Sequence, residues 1–250
     1  MITNQAWFKW TMAGVLLLIA VGLFIFSFLS YKKKNLSPVK FVAVTGIFGA
    51  LAAILYCVPI FTFNLPFLPA FLSIHLDEIP IFLVGYLYGP LPSIMVTLIK
   101  TLIKLPNTST ACVGEFGDFI FTCVFVLPSV ILYERRRKFS SVFIGFGISL
   151  TLHLLVTMIA NVYVMIPFYS SFYNMSYETL LKACQAANKN IKDVGWSYAL
   201  LAVLPMNAIK DSIVIVAVLV LYKRLHILID RIGTQKHGPK DEPEVIEEQK

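Results

Sequence analysis

Four polar side chains lie deep inside apolar stretches of the sequence, where they could hold a solute. Asn161 belongs to the stretch NVYVMIP, and Asn207, Lys210 and Asp211 belong to the stretch LPMNAIKD. A charge at bilayer depth is costly unless it faces a cavity or a partner, so such residues are functional candidates. The alternative is structural, because Lys210 and Asp211 could instead neutralise partners on neighbouring helices.

These side chains suit the reversible binding of a small molecule. An amide both donates and accepts hydrogen bonds, which fits the edge of a heterocycle. Glu115 and Lys100 are expected to join the amides and Lys210 toward the outer side of a bundle. Above them, the loop at 60–75 carries phenylalanines, among them Phe67, that could pack on a flat ring. We therefore expect a pocket for a partly aromatic, hydrogen-bonding ligand.

No pattern in the sequence indicates catalysis or a resident cofactor. The phosphate-binding loop GxxxxGK[ST], the zinc pattern HExxH and the hydrolase pattern GxSxG are all missing. His75 and His153 lie in unrelated segments, and the four cysteines show no CxxC spacing. We therefore expect neither an enzyme nor a metal site. An intramembrane enzyme using Glu115, Asp118 or His153 would need an acid–base constellation that the sequence does not show.

The composition is typical of an all-α polytopic membrane protein. Of the 250 residues, 58% are hydrophobic and only 14% are charged. A net charge of +7 would suggest nucleic acid as the partner of a soluble protein, but here the basic residues cluster between apolar segments. Such runs mark the cytoplasmic side of a membrane, so lipid is an expected contact and nucleic acid is not.

The chain divides into three parts. Residues 1–35 are expected to form an extra N-terminal transmembrane helix, residues 36–230 a helical bundle, and residues 231–250 a disordered cytoplasmic tail. With about seven spans, the basic runs 32–34, 135–138 and 223–224 all fall on one side of the membrane. This arrangement places the N-terminus outside and the C-terminus in the cytoplasm.

Prolines and charges predict where several bundle helices begin and end. Asp77 and Glu78 open a short span near Pro80, where acids complement the helix dipole. Pro167 is expected to close the span at 141–168, and a polar outer loop follows at 169–195.

Two further features of the bundle leave alternatives open. Lys100 and Lys104 share one helix face, and they could reach the lipid headgroups or line a site. Small residues repeat at four-residue spacing in the span 40–59, which lets another helix approach closely. These are Gly46, Gly49, Ala50 and Ala53. Either another helix of this chain or another subunit could pack there.

Several motifs occur in an order that resembles one known family. They are PFLP at 66–69, DEIP at 77–80, YGP at 88–90, IK at 99–100, VGEF at 113–116, NVYVMIPFY at 161–169, LPMNAIK at 204–210 and LYKRL at 221–225. Together they resemble the substrate-binding S components of energy-coupling factor (ECF) vitamin transporters, especially the riboflavin type. The similarity runs from about residue 39 to residue 228.

The resemblance implies a six-helix bundle that binds a vitamin at its outer face, together with a transmembrane coupling subunit and two cytoplasmic ATPases. It places ligand contacts on Asn161, Asn207 and Lys210, and the coupling contact on the helix with the small-residue stripe. It thus implies a membrane subunit that captures riboflavin or a related flavin for uptake.

The sequence also departs from the family pattern. Asp211 replaces a glycine, Asp118 replaces an asparagine, and the predicted helix before residue 35 is additional. Added acid near the site could change which ligand fits. The alternatives are therefore an S component for a different vitamin or precursor, and a membrane protein whose polar residues are only structural.

Overall fold

The computed structural model describes residues 37–69, 72–108 and 112–234, together with positions 18, 21, 22 and 25. Side chains are described up to Tyr222 and at Arg224. Leu18, Val21, Gly22 and Ile25 are helical, whereas the rest of the predicted N-terminal helix and residues 235–250 of the predicted tail lie outside the described residues.

The described chain is all-helical apart from its loops and one isolated β-bridge, as the composition predicts. The helices are α1 (Pro38–Cys57), α2 (Glu78–Tyr88), α3 (Pro90–Lys104), α4 (Val113–Arg136), α5 (Phe139–Phe172), α6 (Tyr177–Ala187) and α7, which comprises Trp196–Tyr198, a π-helical turn at Ala199–Val203 and Leu204–Thr234. Within these residues, α1, α4, α5 and α7 are long and apolar enough to cross a membrane, and α2 is a shorter apolar helix. The prediction of a multi-pass membrane protein is thereby confirmed.

Aromatic side chains fill the end of the bundle where α4 and α7 reach their basic termini. The rings of Phe82, Phe125 and Phe146 pack edge to face, with centroids about 5 Å apart. Beyond them, the hydroxyl of Tyr222 donates to that of Tyr133 at 2.9 Å. This end of the bundle is therefore closed by a packed core.

Both long helices that carry the candidate amides widen into a π-helical turn just before a proline. The turn Asn161–Met165 precedes Pro167 in α5, and the turn Ala199–Val203 precedes Pro205 in α7. A proline ring clashes with the carbonyl four residues earlier, and a wider turn relieves that clash without ending the helix. For this reason α5 continues to Phe172, beyond the end predicted at Pro167.

The outer segment 169–195 contains a helix that its polar composition did not predict. Helix α6 begins after Ser176, whose hydroxyl accepts a hydrogen bond from the Thr179 amide at 3.2 Å. Its Leu180 and Cys184 pack with Leu68 of the proline-rich loop, forming an outer apolar cluster. That loop is closed by a bridge between Phe63 and Ile74, so it lies folded over the outer end of the bundle.

The small residues of α1 divide into two faces. Gly49 and Ala53 are buried, and a Cβ at Gly49 would lie 2.7 Å from Ile99 Cγ2 of α3. Gly46 and Ala50 are exposed, and a Cβ at Gly46 would meet nothing within 4 Å. One stripe thus packs within the chain, and the other remains open on the surface.

Candidate functional site

The polar residues of the outer half surround a cavity of about 220 Å³. It is bounded by α4, α5, α7 and the end of the loop before α2. Its lining comprises Leu72, Ser73, Gly114, Asp118, Phe121, His153, Thr157, Asn161, Met165, Ile166, Tyr169, Tyr198, Met206, Asn207 and Lys210. The structure therefore brings together the two amides and the lysine that the sequence singled out.

The two amides occupy equivalent positions on their helices. Asn161 Nδ2 donates to the Thr157 carbonyl at 2.9 Å, and Asn207 Nδ2 donates to the Val203 carbonyl at 2.9 Å. Each bond uses one amide hydrogen on the side chain's own helix and fixes the amide plane. The remaining hydrogen and the carbonyl oxygen of each amide have no partner among the described residues, so they are available to a solute in the cavity.

Lys210 is the cation of the cavity wall, and it is already paired. Its ammonium donates to a carboxylate oxygen of Glu78 in α2, and it lies 3.8 Å from Asp211 Oδ1. Glu78 is buried. The structural alternative for Lys210 is thus realised, yet the same side chain also lines the cavity.

Lys100 lies below the cavity instead of lining it. Its ammonium, fully buried, donates to Asp77, to Asp118 Oδ2 at 2.8 Å and to Thr122 Oγ1 at 3.1 Å. It also lies 4.6 Å from the centre of the Tyr56 ring. Because the Asp118 side chain is 27% exposed and lines the cavity, Lys100 reaches the site through that carboxylate.

Asp77 and Glu78 lie at the start of α2, as predicted, but their side chains pair with lysines of other helices. Asp77 occupies the N-cap position of α2, but its side chain makes no capping hydrogen bond. Instead the two neighbouring acids pair with two lysines on different helices, Asp77 with Lys100 and Glu78 with Lys210. A buried ammonium needs such a partner, because an unpaired charge there would be strongly destabilising.

Two other predicted site residues lie near the cavity without lining it. Glu115 is buried in the first turn of α4, where Oε2 accepts a hydrogen bond from Thr108 Oγ1 at 2.8 Å. Phe67 is 48% exposed in the loop that covers the outer end. Neither belongs to the cavity wall, although Glu115 is adjacent to Gly114, which does.

Sequence reasoning did not assign His153, Thr157 or Tyr169 to the site. A signal was available, because His153, Thr157 and Asn161 follow one another at four-residue intervals and therefore share one face of α5. All three line the cavity. Polar residues repeated at this spacing inside an apolar helix indicate a polar face of a bundle.

A second, larger cavity of about 350 Å³ lies between α6 and the first π-helical turn. Leu181, Val194 and Pro167 contribute to its largely apolar wall, with Glu178 and Lys192 among its few charged residues. The candidate amides do not line it. The smaller cavity is the better binding site because the polar groups converge there.

The smaller cavity offers hydrogen-bonding groups and charges to a solute. Two sets of ion pairs lie beneath and beside the cavity: Lys100 pairs with Asp77 and Asp118, and Lys210 pairs with Glu78 and Asp211. Among the described residues, no group of three or more His, Cys, Asp or Glu side chains could hold a metal ion. The geometry supports reversible binding of an organic solute.

Known proteins resemble this chain over most of its length. The model of the family "ECF transporter, substrate-specific component" matches residues 40–222. The riboflavin transporter RibU of Staphylococcus aureus (strain TCH60) is 28% identical over 182 residues, covering 73% of this chain and 89% of that protein. The riboflavin transporter FmnP of Bacillus subtilis (strain 168) is 22% identical over 185 residues, covering 72% of this chain and 90% of that protein.

A solved structure shares the fold. It is described as the S component of a bacterial ECF transporter, and it aligns with a TM-score of 0.60 at 24% identity, covering 78% of this chain and all of that one. The family match spans well over half of the sequence. The chain belongs to the substrate-specific components of ECF transporters, a family of transporter components and not of enzymes.

Proposed function

We propose that this S component captures riboflavin or a related flavin for uptake, by binding it in the cavity between α4, α5 and α7. The observation that carries the proposal is the convergence of Asn161, Asn207 and Lys210 on one cavity. The relatives named as riboflavin transporters support the flavin assignment. The amides would bind the polar edge of the ring system.

The remaining predicted residues take supporting roles in this proposal. The cavity of about 220 Å³ is smaller than the roughly 300 Å³ at which ligand pockets usually begin. A flavin would therefore extend toward the loop that carries Phe67, whose exposed ring can pack on it. Lys100 would hold Asp118 in place, and Glu115 would order the turn that begins α4.

The proposed face of capture is extracellular. The basic run at 135–138 lies at the end of α4, and the run at 223–224 lies in the later part of α7, well past the cavity residues of that helix. Positive runs favour the cytoplasmic side, so the cavity opens outward and the C-terminus is cytoplasmic. With residues 1–35 as an additional span before the six helices α1–α5 and α7, the N-terminus is outside.

The proposed partners are a transmembrane coupling subunit and two cytoplasmic ATPases. No Walker A motif occurs in this sequence, so energy from ATP must come from another chain. The exposed stripe of Gly46 and Ala50 on α1 is the part of the small-residue surface open to a neighbouring helix. Gly49 and Ala53 would support it from within, by holding α1 against α3.

The test is a titration of the purified protein with riboflavin, followed by the quenching of flavin fluorescence. We expect saturable quenching at one flavin per chain. Absence of quenching and of any flavin in the purified protein would contradict the flavin assignment. The second candidate function is that of an S component for another vitamin. The acids Asp118 and Asp211 at the site favour it. A thermal-shift screen across vitamins would then identify the ligand.

A further inference from the structure

His153 and Asp211 form a buried pair beside the cavity that the proposed binding set does not use. His153 Nδ1 lies 2.7 Å from Asp211 Oδ2, and the side chains are 1% and 0% exposed. The imidazole also stacks on the Phe125 ring, with centroids 4.9 Å apart and planes at 25°. Two contacts on different helices therefore fix the position and the plane of the imidazole.

The second ring nitrogen of His153, Nε2, makes no hydrogen bond to another described residue. A carboxylate only accepts hydrogen bonds, so the bond to Asp211 places the imidazole hydrogen on Nδ1, and Nε2 is the acceptor in that tautomer. The sealed side-chain atoms without a hydrogen-bond partner in the described residues are Glu78 Oε2 and Asp211 Oδ1. Nε2 of His153 is not among these atoms, and no described residue forms a hydrogen bond with it. The cavity is the open space that His153 lines.

The surrounding wall also offers acceptors. Thr157 Oγ1 donates to the His153 carbonyl at 2.8 Å, so its lone pairs remain for the cavity. Asn161 and Asn207 each spend an amide hydrogen on their own helix, and Asp118 adds a carboxylate. The ammonium of Lys210 is held by Glu78. The wall therefore offers several acceptors to N–H or O–H groups of a ligand, beside the one remaining hydrogen of each amide.

We propose that His153 is a specificity-determining residue that accepts a hydrogen bond from the ligand through Nε2, and that Asp211 is a positioning residue that fixes its tautomer. This inference rests on the proposed function, because it assumes that the ligand occupies this cavity. It adds the group that the ligand presents to α5, which is a donor such as an imide N–H or a polyol hydroxyl. The acid at position 211 is thereby given a role in recognition.

The test is a double-mutant cycle between the protein and the ligand. The probes are riboflavin, 3-methylriboflavin, which lacks the imide N–H, and lumiflavin, which lacks the polyol chain. The variant is H153F with D211L, which keeps an aromatic ring on Phe125 and removes both polar partners together, so that no buried charge is left unpaired. Ser212→Ala, an exposed position next to Asp211, is the matched control.

We expect the wild type to lose about tenfold in affinity when one of the two donors is removed from the ligand. The double variant should bind riboflavin with about tenfold lower affinity than the wild type. Its affinity for that same analogue should be little lower than its affinity for riboflavin. Asp211→Asn, which can still accept from Nδ1–H, should restore most of the affinity that Asp211→Leu loses. A purely structural pair would not distinguish the analogues.

Two results would overturn the inference separately from the proposed function. In the first, the wild type binds riboflavin, but the loss of affinity caused by the double variant and the loss caused by each change in the ligand simply add. His153 then does not contact the ligand. If the double variant does not fold, His153→Gln replaces it. The glutamine amide can still donate a hydrogen bond to Asp211, but its acceptor atom no longer lies where Nε2 was. Additive losses of affinity for this variant and the analogues would again refute the contact. If the wild type binds no riboflavin, the flavin assignment itself fails.

Discussion

At the scale of single residues, the cavity is held in shape by bonds that exist before any ligand arrives. Asn161 and Asn207 are fixed by carbonyls of their own helices, and Lys210 by Glu78 of α2. Side chains fixed in this way lose little conformational entropy when a ligand binds. Affinity should therefore depend on the hydrogen-bonding atoms that remain open to the cavity.

The first prediction concerns the two amides. Asn161→Leu and Asn207→Leu should each weaken riboflavin binding about tenfold, because each removes a hydrogen bond and leaves a ligand group unpaired. Fluorescence titration of each purified variant measures the change. Ser212→Ala, on the exposed side of α7, should leave the dissociation constant unchanged. Equal affinities for all the proteins would show that the amides do not bind the ligand.

The second prediction separates the two buried lysines. Lys210→Met should weaken ligand binding more than Lys100→Met, because Lys210 lines the cavity and Lys100 lies beneath it. Lys100→Met should mainly lower the thermal stability, since it leaves Asp77 buried without its partner. Dissociation constants and melting temperatures measured on the same samples distinguish the effects. A reversed order of affinities would mean that the ligand binds elsewhere.

The residues that the sequence identified and those it missed differ in a physical way. Asn161, Asn207 and Lys210 could be found because a polar group in an apolar helix is costly wherever it lies. Their partners could not, because the Lys210–Glu78 bond joins residues 132 positions apart, and helix packing alone brings them together. Local spacing instead suggested that Asp77 and Glu78 act at the start of a helix.

At the scale of helices, the prolines shape the site without ending the elements that carry it. Pro167 was expected to end its helix, but both Pro167 and Pro205 follow a π-helical turn within a helix that continues. The boundaries of α5 and the existence of α6 could not be predicted, since they depend on this local widening and on packing against the loop before α2. The all-helical, apolar character of the described chain followed from its composition, and four of its described helices are long and apolar enough to cross a membrane.

The third prediction uses the two faces of α1. Gly49→Leu should destabilise the protein by more than 1 kcal/mol, as overpacking typically does, because even a Cβ would press on Ile99. Gly46→Leu meets open space, so it should leave stability and ligand binding unchanged but weaken association with the coupling subunit. Thermal unfolding and co-purification with the coupling subunit test the pair. Unchanged association of Gly46→Leu would place the interface elsewhere.

At the scale of the whole molecule, the bundle is polar at one end and sealed at the other. The aromatic core that includes Tyr133 and Tyr222 closes the end near the basic runs, and the cavity lies beside the first turns of α4. This polarity fits a protein that receives a solute on one side of the membrane. It also gives the orientation a direct test.

The fourth prediction is that Cys112 is accessible from outside the cell. It is exposed just before α4, whereas Cys123 and Cys184 are buried. A membrane-impermeant maleimide added to intact cells should label a variant that retains only Cys112, and Cys112→Ser should abolish the label. Labelling that requires lysed cells would reverse the proposed topology and place the cavity on the cytoplasmic side.

The central claim is that a flavin, and not a neighbouring helix, completes the polar wall of the cavity. Mass spectrometry of small molecules that co-purify with the protein tests it most directly, with the doubly substituted variant N161L/N207L as the control. The account predicts riboflavin or a close relative, at up to one molecule per chain, with the wild type and a clear loss with the variant. A folded wild type that carries and binds no flavin, or a variant that retains the same flavin, would contradict it.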